Sequence, residues 1–271
     1  STFEKTSADN AVIVANINGN VTVTGYEGTK ILLEANRSVY GKTEARLEKG
    51  KQEFQLGVID RADTLIFYVE AGCNQFGRQQ DRRNRNGWYN RGWGYNWNCN
   101  GGNCDTEYDY KMDFTLKVPA GIHVIVSTIN DGDIVVEKVK GIVEANNING
   151  SIKLTNLARE TKASTINGDV DIEYTSNPSK DCRFYSLNGD INALFQKGLA
   201  ASLSFESFNG DFYTNINDIE TLPVRVVKMD KEGDGVKYKV NGNRYQIGKG
   251  GGAFLDFETF NGNVYLKEKT N

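Results

Sequence analysis

The residues best suited to chemistry crowd into one stretch of this chain. Between Cys73 and Cys104 stand all three tryptophans, Trp88, Trp93 and Trp97, with Tyr89, Tyr95 and five arginines that include Arg91, among many Asn and Gly. Flat aromatic faces beside amide and guanidinium groups suit stacking on sugar rings, and the same set suits single-stranded bases. Trp88, Tyr89, Arg91, Trp93, Tyr95 and Trp97 are therefore the candidate ligand contacts. The competing role is cover: the same side chains can fold over an exposed sheet end or edge and hide apolar surface.

Other reactive groups are sparse. The four cysteines permit three complete pairings. Cys99 and Cys104, joined by Asn100-Gly101-Gly102-Asn103, can close a small bridge, whereas Cys73 with Cys104 can pin the neck of the segment. Cys182 falls among apolar positions and reads as a buried thiol. Three thiols without a neighbouring His or a regular paired spacing make a weak zinc site. The lone His123 excludes any site with two His ligands and leaves His-based catalysis a single residue to use. Acid pairs such as Asp131 with Asp133 or Glu107 with Asp109 suit glycoside cleavage, yet none stands out among 35 acidic residues. A weak calcium candidate is the column Asp169, Asp190 and Asp211, since calcium takes oxygen ligands. Alternatively each of these carboxylates accepts backbone N–H groups at its own turn. No cofactor is expected.

What must position these residues is a repeat. An apolar residue followed by Asn recurs as Ile17-Asn18, Ile129-Asn130, Ile148-Asn149, Ile166-Asn167, Leu187-Asn188, Phe208-Asn209 and Phe260-Asn261, usually with Gly next. Between Asn130 and Asn209 the steps are 19, 18, 21 and 21 residues, and the outer copies stand off by 112 and 52. Six and four residues before each Asn the chain is almost wholly apolar, as in Val12 and Val14, Val124 and Val126, Cys182 and Phe184, or Leu255 and Phe257. The residue between them is mostly polar, and the alternation resumes after the corner. That period of two marks a strand with one buried face. Each copy reads as strand, Asn-Gly corner, strand.

Two architectures use such a unit. In an antiparallel meander Asn-Gly is a type I′ hairpin turn. In a parallel stack each repeat is one coil, and equivalent residues lie about 4.8 Å apart. The stack is favoured by the small polar residue two before each Asn (Asn16, Thr128, Asn147, Thr165, Ser186, Ser207 and Thr259), because such side chains bond to their copies above and below. Like then packs on like down the chain, Phe184 on Phe205 and Leu187 on Phe208. Corner Gly supplies unusual backbone angles, and Pro, at 3 residues, is scarce because each would delete a ladder donor. Further strands are expected at about 30 to 37, 51 to 58, 64 to 70 and 108 to 118, and a hairpin pair between Val224 and Ile247. Helical periodicity is weak throughout.

Ser164-Thr165-Ile166-Asn167-Gly168-Asp169-Val170 and its copies resemble the bacterial putative-adhesin family of β-strand repeat proteins, kin to the auto-transporter adhesin head domain named for its Gly-Ile-Asn signature. The match covers about 120 to 215, with outlying copies at 12 to 23 and 255 to 266. The resemblance implies a right-handed parallel β-stack, export to the cell envelope, and a role in adhesion or envelope structure. It carries no catalytic residues over.

The expected fold is thus all-β: a right-handed parallel β-helix or β-roll-like stack of 18 to 21-residue coils with Asn-Gly corners, flanking strands and one long aromatic loop. A single domain is expected over 1–271, comprising an N-terminal coil with flanking strands (1–72), the aromatic insertion (73–107), regular repeats (108–214), and a hairpin excursion with the final repeat (215–271). The expected function is non-enzymatic, exported, in adhesion or envelope architecture, with a glycan or cell-surface protein as partner of the 73–107 loop. The alternative is a polysaccharide-acting enzyme on the same scaffold. A net charge of −3 argues against a nucleic-acid partner. No apolar run approaches the roughly 18 residues of a membrane helix, and Ser1 opens a polar stretch instead of a signal segment.

Overall fold

Alternation decides the local structure: Val21–Tyr26, with sequence VTVTGY, buries every second residue and leaves the others partly exposed. The same pattern recurs in strand after strand. The computed structural model describes residues 1–5, 7–72, 75–76, 95–96, 106–223, 226–229, 237–240, 243–248 and 251–270. The chain is all-β, with two large sheets built mainly of parallel strands and, among the described residues, no closed barrel. It divides into two compact units, Ser1–Gly150 and Ser151–Asn271.

The first unit contains β1 (Thr2–Glu4), β2 (Ala11–Ala15), β3 (Val21–Tyr26), β4 (Lys30–Gly41), α1 (Glu44–Glu53), β5 (Gln55–Asp60), β6 (Thr64–Glu70), β7 (Gln75–Phe76), β8 (Tyr95–Asn96), β9 (Tyr108–Pro119), β10 (His123–Ser127), β11 (Ile134–Glu137) and β12 (Val143–Asn146). One of its sheets runs β12-β10-β2-β6-β5 and the other β11-β3-β9-β4-β1. The two strands flanking each Asn corner therefore lie in different sheets, which excludes the hairpin-turn reading of Asn-Gly. Equivalent residues pair in parallel register, Val12 with Val124 and Val124 with Val143. Val12, Val14, Val124, Val126 and Val143 are all fully buried. Each such side chain contributes about 1.5–3 kcal/mol. The outer strands run against the rest: β4 pairs antiparallel with β9, and β5 with β6.

Two departures from expectation concern this unit. The strand expected at 51 to 58 begins only at Gln55, because Lys51–Glu53 complete α1. Thr43 caps that helix, its hydroxyl accepting from the Arg46 N–H at 3.3 Å, and Glu, Ala, Arg, Leu and Lys are good helix formers. Only Gly50 of the helix is buried. A Cβ there would stand 2.6 Å from Val39 Cγ1, so the bare backbone is what lets the helix approach β4. The second departure is that β6 and β9 form a repeat of their own. Leu65 lies beside Val12 and Phe114 beside Val21, in the same parallel sense as the true copies. The 73–107 insertion stands where that repeat would have its Asn-Gly corner.

The second unit contains β13 (Ile152–Leu157), β14 (Thr161–Asn167), β15 (Val170–Tyr174), β16 (Cys182–Asn188), β17 (Ile191–Phe195), β18 (Ala201–Asn209), β19 (Phe212–Thr214), β20 (Ile219–Leu222), β21 (Val226–Met229), β22 (Lys237–Val240), β23 (Asn243–Ile247), β24 (Ala253–Asn261) and β25 (Val264–Glu268). Its sheets run β14-β16-β24-β18-β23-β20 and β13-β15-β17-β25-β19. Spatial order therefore departs from chain order. The final repeat, β24 and β25, lies between the two that precede it, so Phe184 faces Phe257 and not Phe205. The Phe184 and Phe257 rings sit 5.1 Å apart. Likewise Phe208 stacks on Phe260, at 4.8 Å and 3°, instead of on Leu187. Strands β21 and β22 pair antiparallel as the first expected hairpin requires, whereas β23, expected to turn back at Asn241-Gly242, pairs with β18 and β20 instead of β22.

The corner glycines meet the expected need for unusual backbone angles only in part. Among the repeat corners φ is positive at Gly19 (119°), Gly168 (154°) and Asp131 (54°). At Gly189, Gly262 and Gly210 the constraint is space: a Cβ would lie 2.1, 2.0 and 1.8 Å from the carbonyl oxygen of the corner Gly in the adjoining repeat. No side chain fits there.

Candidate functional site

Of the expected ligand contacts, Tyr95 lies in β8, paired with Phe76 of β7. Trp88, Tyr89, Arg91, Trp93 and Trp97 lie outside the described residues, as do Cys73, Cys99 and Cys104.

The corners themselves form three ladders of hydrogen bonds. On the first, each Asn donates its side-chain amide to the Oδ1 of the neighbouring Asn: Asn188 to Asn167 at 2.9 Å, Asn261 to Asn188 at 2.8 Å, Asn209 to Asn261 at 2.8 Å. In the first unit Asn149 donates to Asn130 at 2.8 Å. On the second, the buried polar residue two before the Asn donates to the corner Gly carbonyl of the adjoining repeat, as Thr128 does to Gly19 and Ser186 to Gly168, both at 2.8 Å. Such bonds spare buried polar groups the desolvation cost of lacking a partner.

The third ladder accounts for one oxygen each of Asp169 and Asp190. Asp169 Oδ1 accepts the Asp190 N–H at 2.8 Å, Asp190 Oδ1 accepts the Asn263 N–H at 2.7 Å, and Asn263 Oδ1 accepts the Asp211 N–H at 3.0 Å. Asp169 and Asp190 thus serve the next repeat and not their own turn, whereas Asp211 Oδ2 accepts the Tyr213 hydroxyl at 3.4 Å. Among the described residues no group of three or more His, Cys, Asp or Glu is arranged to hold a metal ion.

Cys182 is buried and free. Tyr174 Oη lies 3.3 Å from its sulfur, and the Thr161 N–H donates to it at 3.4 Å. Burial pushes the thiol above its ordinary pKa, opposed by those hydrogen bonds. His123 belongs to the scaffold: its Nδ1 accepts the Ile142 N–H at 3.0 Å, the same device by which the carboxylates bind a neighbouring repeat.

Sequence reasoning missed the aromatic and polar surface of the second unit. Lys153, Asp171, Asn192, Tyr265 and Tyr213 stand in register on five adjacent strands. Asn192 donates to Asp171 at 2.9 Å, and the Tyr213 and Tyr265 rings stack at 5.1 Å. The first four of these residues, with Glu173 and Lys267, line an open groove of about 260 Å³. The signal was present as the polar residue following the first strand position after each corner, but it shows as a row only once the order of the repeats is known.

No protein-family model matches the chain. No curated protein is similar to it. Two solved structures are similar over almost the whole length. One is a putative cell adhesion protein from Clostridium sporogenes, at 11% identity and a TM-score of 0.44, covering 99% of this chain and 98% of that one. The other is a putative adhesin from Bacteroides fragilis, at 11% identity and a TM-score of 0.36, covering 99% and 96%.

Proposed function

We propose that this chain is a right-handed parallel β-stack of the Gly-Ile-Asn adhesin type, exported to the cell envelope, where it serves adhesion or envelope architecture and catalyses no reaction. In this reading the 73–107 insertion is the contact element, with Trp88, Trp93 and Trp97 stacking on a glycan or on a cell-surface protein. The observation that carries it is the place of the insertion. It replaces the corner of the repeat formed by β6 and β9, while both strands keep their pairings with β2 and β3. A contact loop can therefore vary without disturbing the ladders that hold the fold.

The test is a glycan array probed with the intact chain and with the Trp88→Ala, Trp93→Ala, Trp97→Ala variant. Binding that disappears in the variant while the melting temperature holds supports the proposal. Unchanged binding with a lowered melting temperature makes the aromatics structural cover. Release of reducing or unsaturated ends from a bound polysaccharide overturns the non-enzymatic reading.

A further inference from the structure

Each interior rung of the second unit is satisfied by the repeat beside it, and the rung at Asn209 ends the series. Four groups show this. Asn167, Asn188 and Asn261 each accept a neighbouring Asn amide on Oδ1, whereas Asn209 Oδ1 accepts none among the described residues. Asp169, Asp190 and Asn263 each accept a neighbouring backbone N–H on Oδ1; Asp211 accepts only the Tyr213 hydroxyl, on Oδ2 at 3.4 Å. The N–H groups of Gly168, Gly189 and Gly262 donate to the Asn carbonyl of the following repeat, and those of Val170, Ile191 and Val264 to the carbonyl two residues further on. Gly210 and Phe212, their counterparts, find no such carbonyl among the described residues.

Among the described residues the surroundings leave this rung open. β19 is the last strand of its sheet. In the other sheet β23 covers β18 only from Ala201 to Phe205. Among the described residues, no strand pairs with 206–214 on that side, and within it Phe208 is 74% exposed and Tyr213 47% exposed, while the Phe212 ring packs against Tyr245 of β23 at 5.7 Å. The Phe208 and Tyr213 rings already stack, on their other faces, against Phe260 and Tyr265.

We propose that the 206–214 corner is a docking site for one strand–corner–strand segment of a different protein, added in parallel and carrying Ser or Thr, an apolar residue, Asn, Gly, and Asp or Asn in succession. The internal rungs define what fits. The incoming Asn amide donates to Asn209 Oδ1, and the N–H two residues later donates to Asp211 Oδ1. The two matching carbonyls accept from Gly210 and Phe212, and the incoming hydroxyl donates to the Gly210 carbonyl as Ser186 does to Gly168. The apolar residue stacks on Phe208. This is strand addition at a sheet edge, with side chains supplying the register. A second copy of this chain cannot supply the segment. In a second copy the Asn209 amide and the Asp211 N–H are already spent on Asn261 and Asn263, so its own corner cannot repeat the internal rung. In the first unit the donors of the Asn18 corner are likewise spent, with Asn18 donating to the Tyr110 carbonyl, Asn16 to the Met112 carbonyl, and the Asn20 N–H to Asp113.

The site is independent of the 73–107 insertion, so its test is separate from that of the proposed adhesion. The ¹⁵N-labelled chain is titrated with a nonapeptide of the sequence of residues 206–214, Glu-Ser-Phe-Asn-Gly-Asp-Phe-Tyr-Thr. Saturable shifts centred on the Gly210, Asp211 and Phe212 amides are expected. A peptide with Ala in place of its Gly should not bind, since that Cβ would meet the Gly210 carbonyl as one at Gly210 would meet that of Gly262. Asp211→Ala in the chain keeps the Asp211 N–H bond to Asn263 and should weaken the wild-type peptide roughly fivefold. No shifts, equal binding of the Ala peptide, or an unaffected Asp211→Ala variant overturns the proposal. Sedimentation that reveals a dimer abolished by Asp211→Ala also overturns it, by making a second copy the occupant.

Discussion

Asn261 donates its side-chain amide to Asn188 across 73 residues of sequence, at 2.8 Å, and receives that of Asn209 at 2.8 Å in return. The chain's last corner is thus an interior rung. Asn261→Ala removes two ladder bonds and Asn209→Ala one. Urea denaturation should show Asn261→Ala losing about 2 kcal/mol and Asn209→Ala about 1.

The same placement makes the C-terminal segment indispensable to the second unit. A chain ending at residue 252 would leave β16 and β18 without the strand between them. It should lose the cooperative unfolding transition of that unit outright, as read by near-ultraviolet circular dichroism. A stack ordered as the sequence runs would merely shorten. Within the segment, Phe257 is fully buried, and Phe257→Ala should cost about 3–5 kcal/mol.

Glycine substitutions separate crowding from chain entropy. Gly189→Ala would place a Cβ 2.1 Å from the Gly168 carbonyl oxygen, and a loss of at least roughly 2 kcal/mol in chemical denaturation is expected. Gly121, by contrast, has nothing within 4 Å of where its Cβ would be. Gly121→Ala should stabilise by about 0.4–1 kcal/mol through the unfolded chain.

The third ladder can be tested for its dependence on charge. Asp190→Asn keeps an oxygen for the Asn263 N–H and should hold the melting temperature, whereas Asp190→Ala should lose about 1 kcal/mol. If the column bound calcium, the Asn variant would itself lose a calcium-dependent rise in melting temperature.

Burial raises the Cys182 pKa, so at pH 7 the group stays a thiol and not a nucleophilic thiolate. With the other three cysteines replaced by Ser, native protein should resist iodoacetamide at pH 7 to 8, and urea-unfolded protein should react promptly. Rapid labelling of the native form would contradict the buried position.

Much of the scaffold was legible in the residues themselves. The period of two located the buried columns, and the recurring small polar residue two before the Asn located the corner. Helix α1 was not legible, because it buries Gly50 and shows no apolar stripe. Nor was the row from Lys153 to Tyr213, whose members come from five strands at irregular distances in the chain. The functional residues expected in the 73–107 segment, Tyr95 excepted, lie outside the described residues.

By itself, then, the sequence determined the unit: which side chains face inward, where the chain turns, and that each corner carries its own donors and acceptors. Those choices are local, set by alternation and by residue chemistry within about ten positions. Only the tertiary structure decided the order of the units. Phe184, Phe205 and Phe257 present the same ring at the same position, and Asn188, Asn209 and Asn261 the same amide, so pairing rules alone leave the order of neighbours undetermined. The order adopted places the final repeat inside and leaves the corner at Asn209 at the edge, and the donors and acceptors unspent there follow from that arrangement alone.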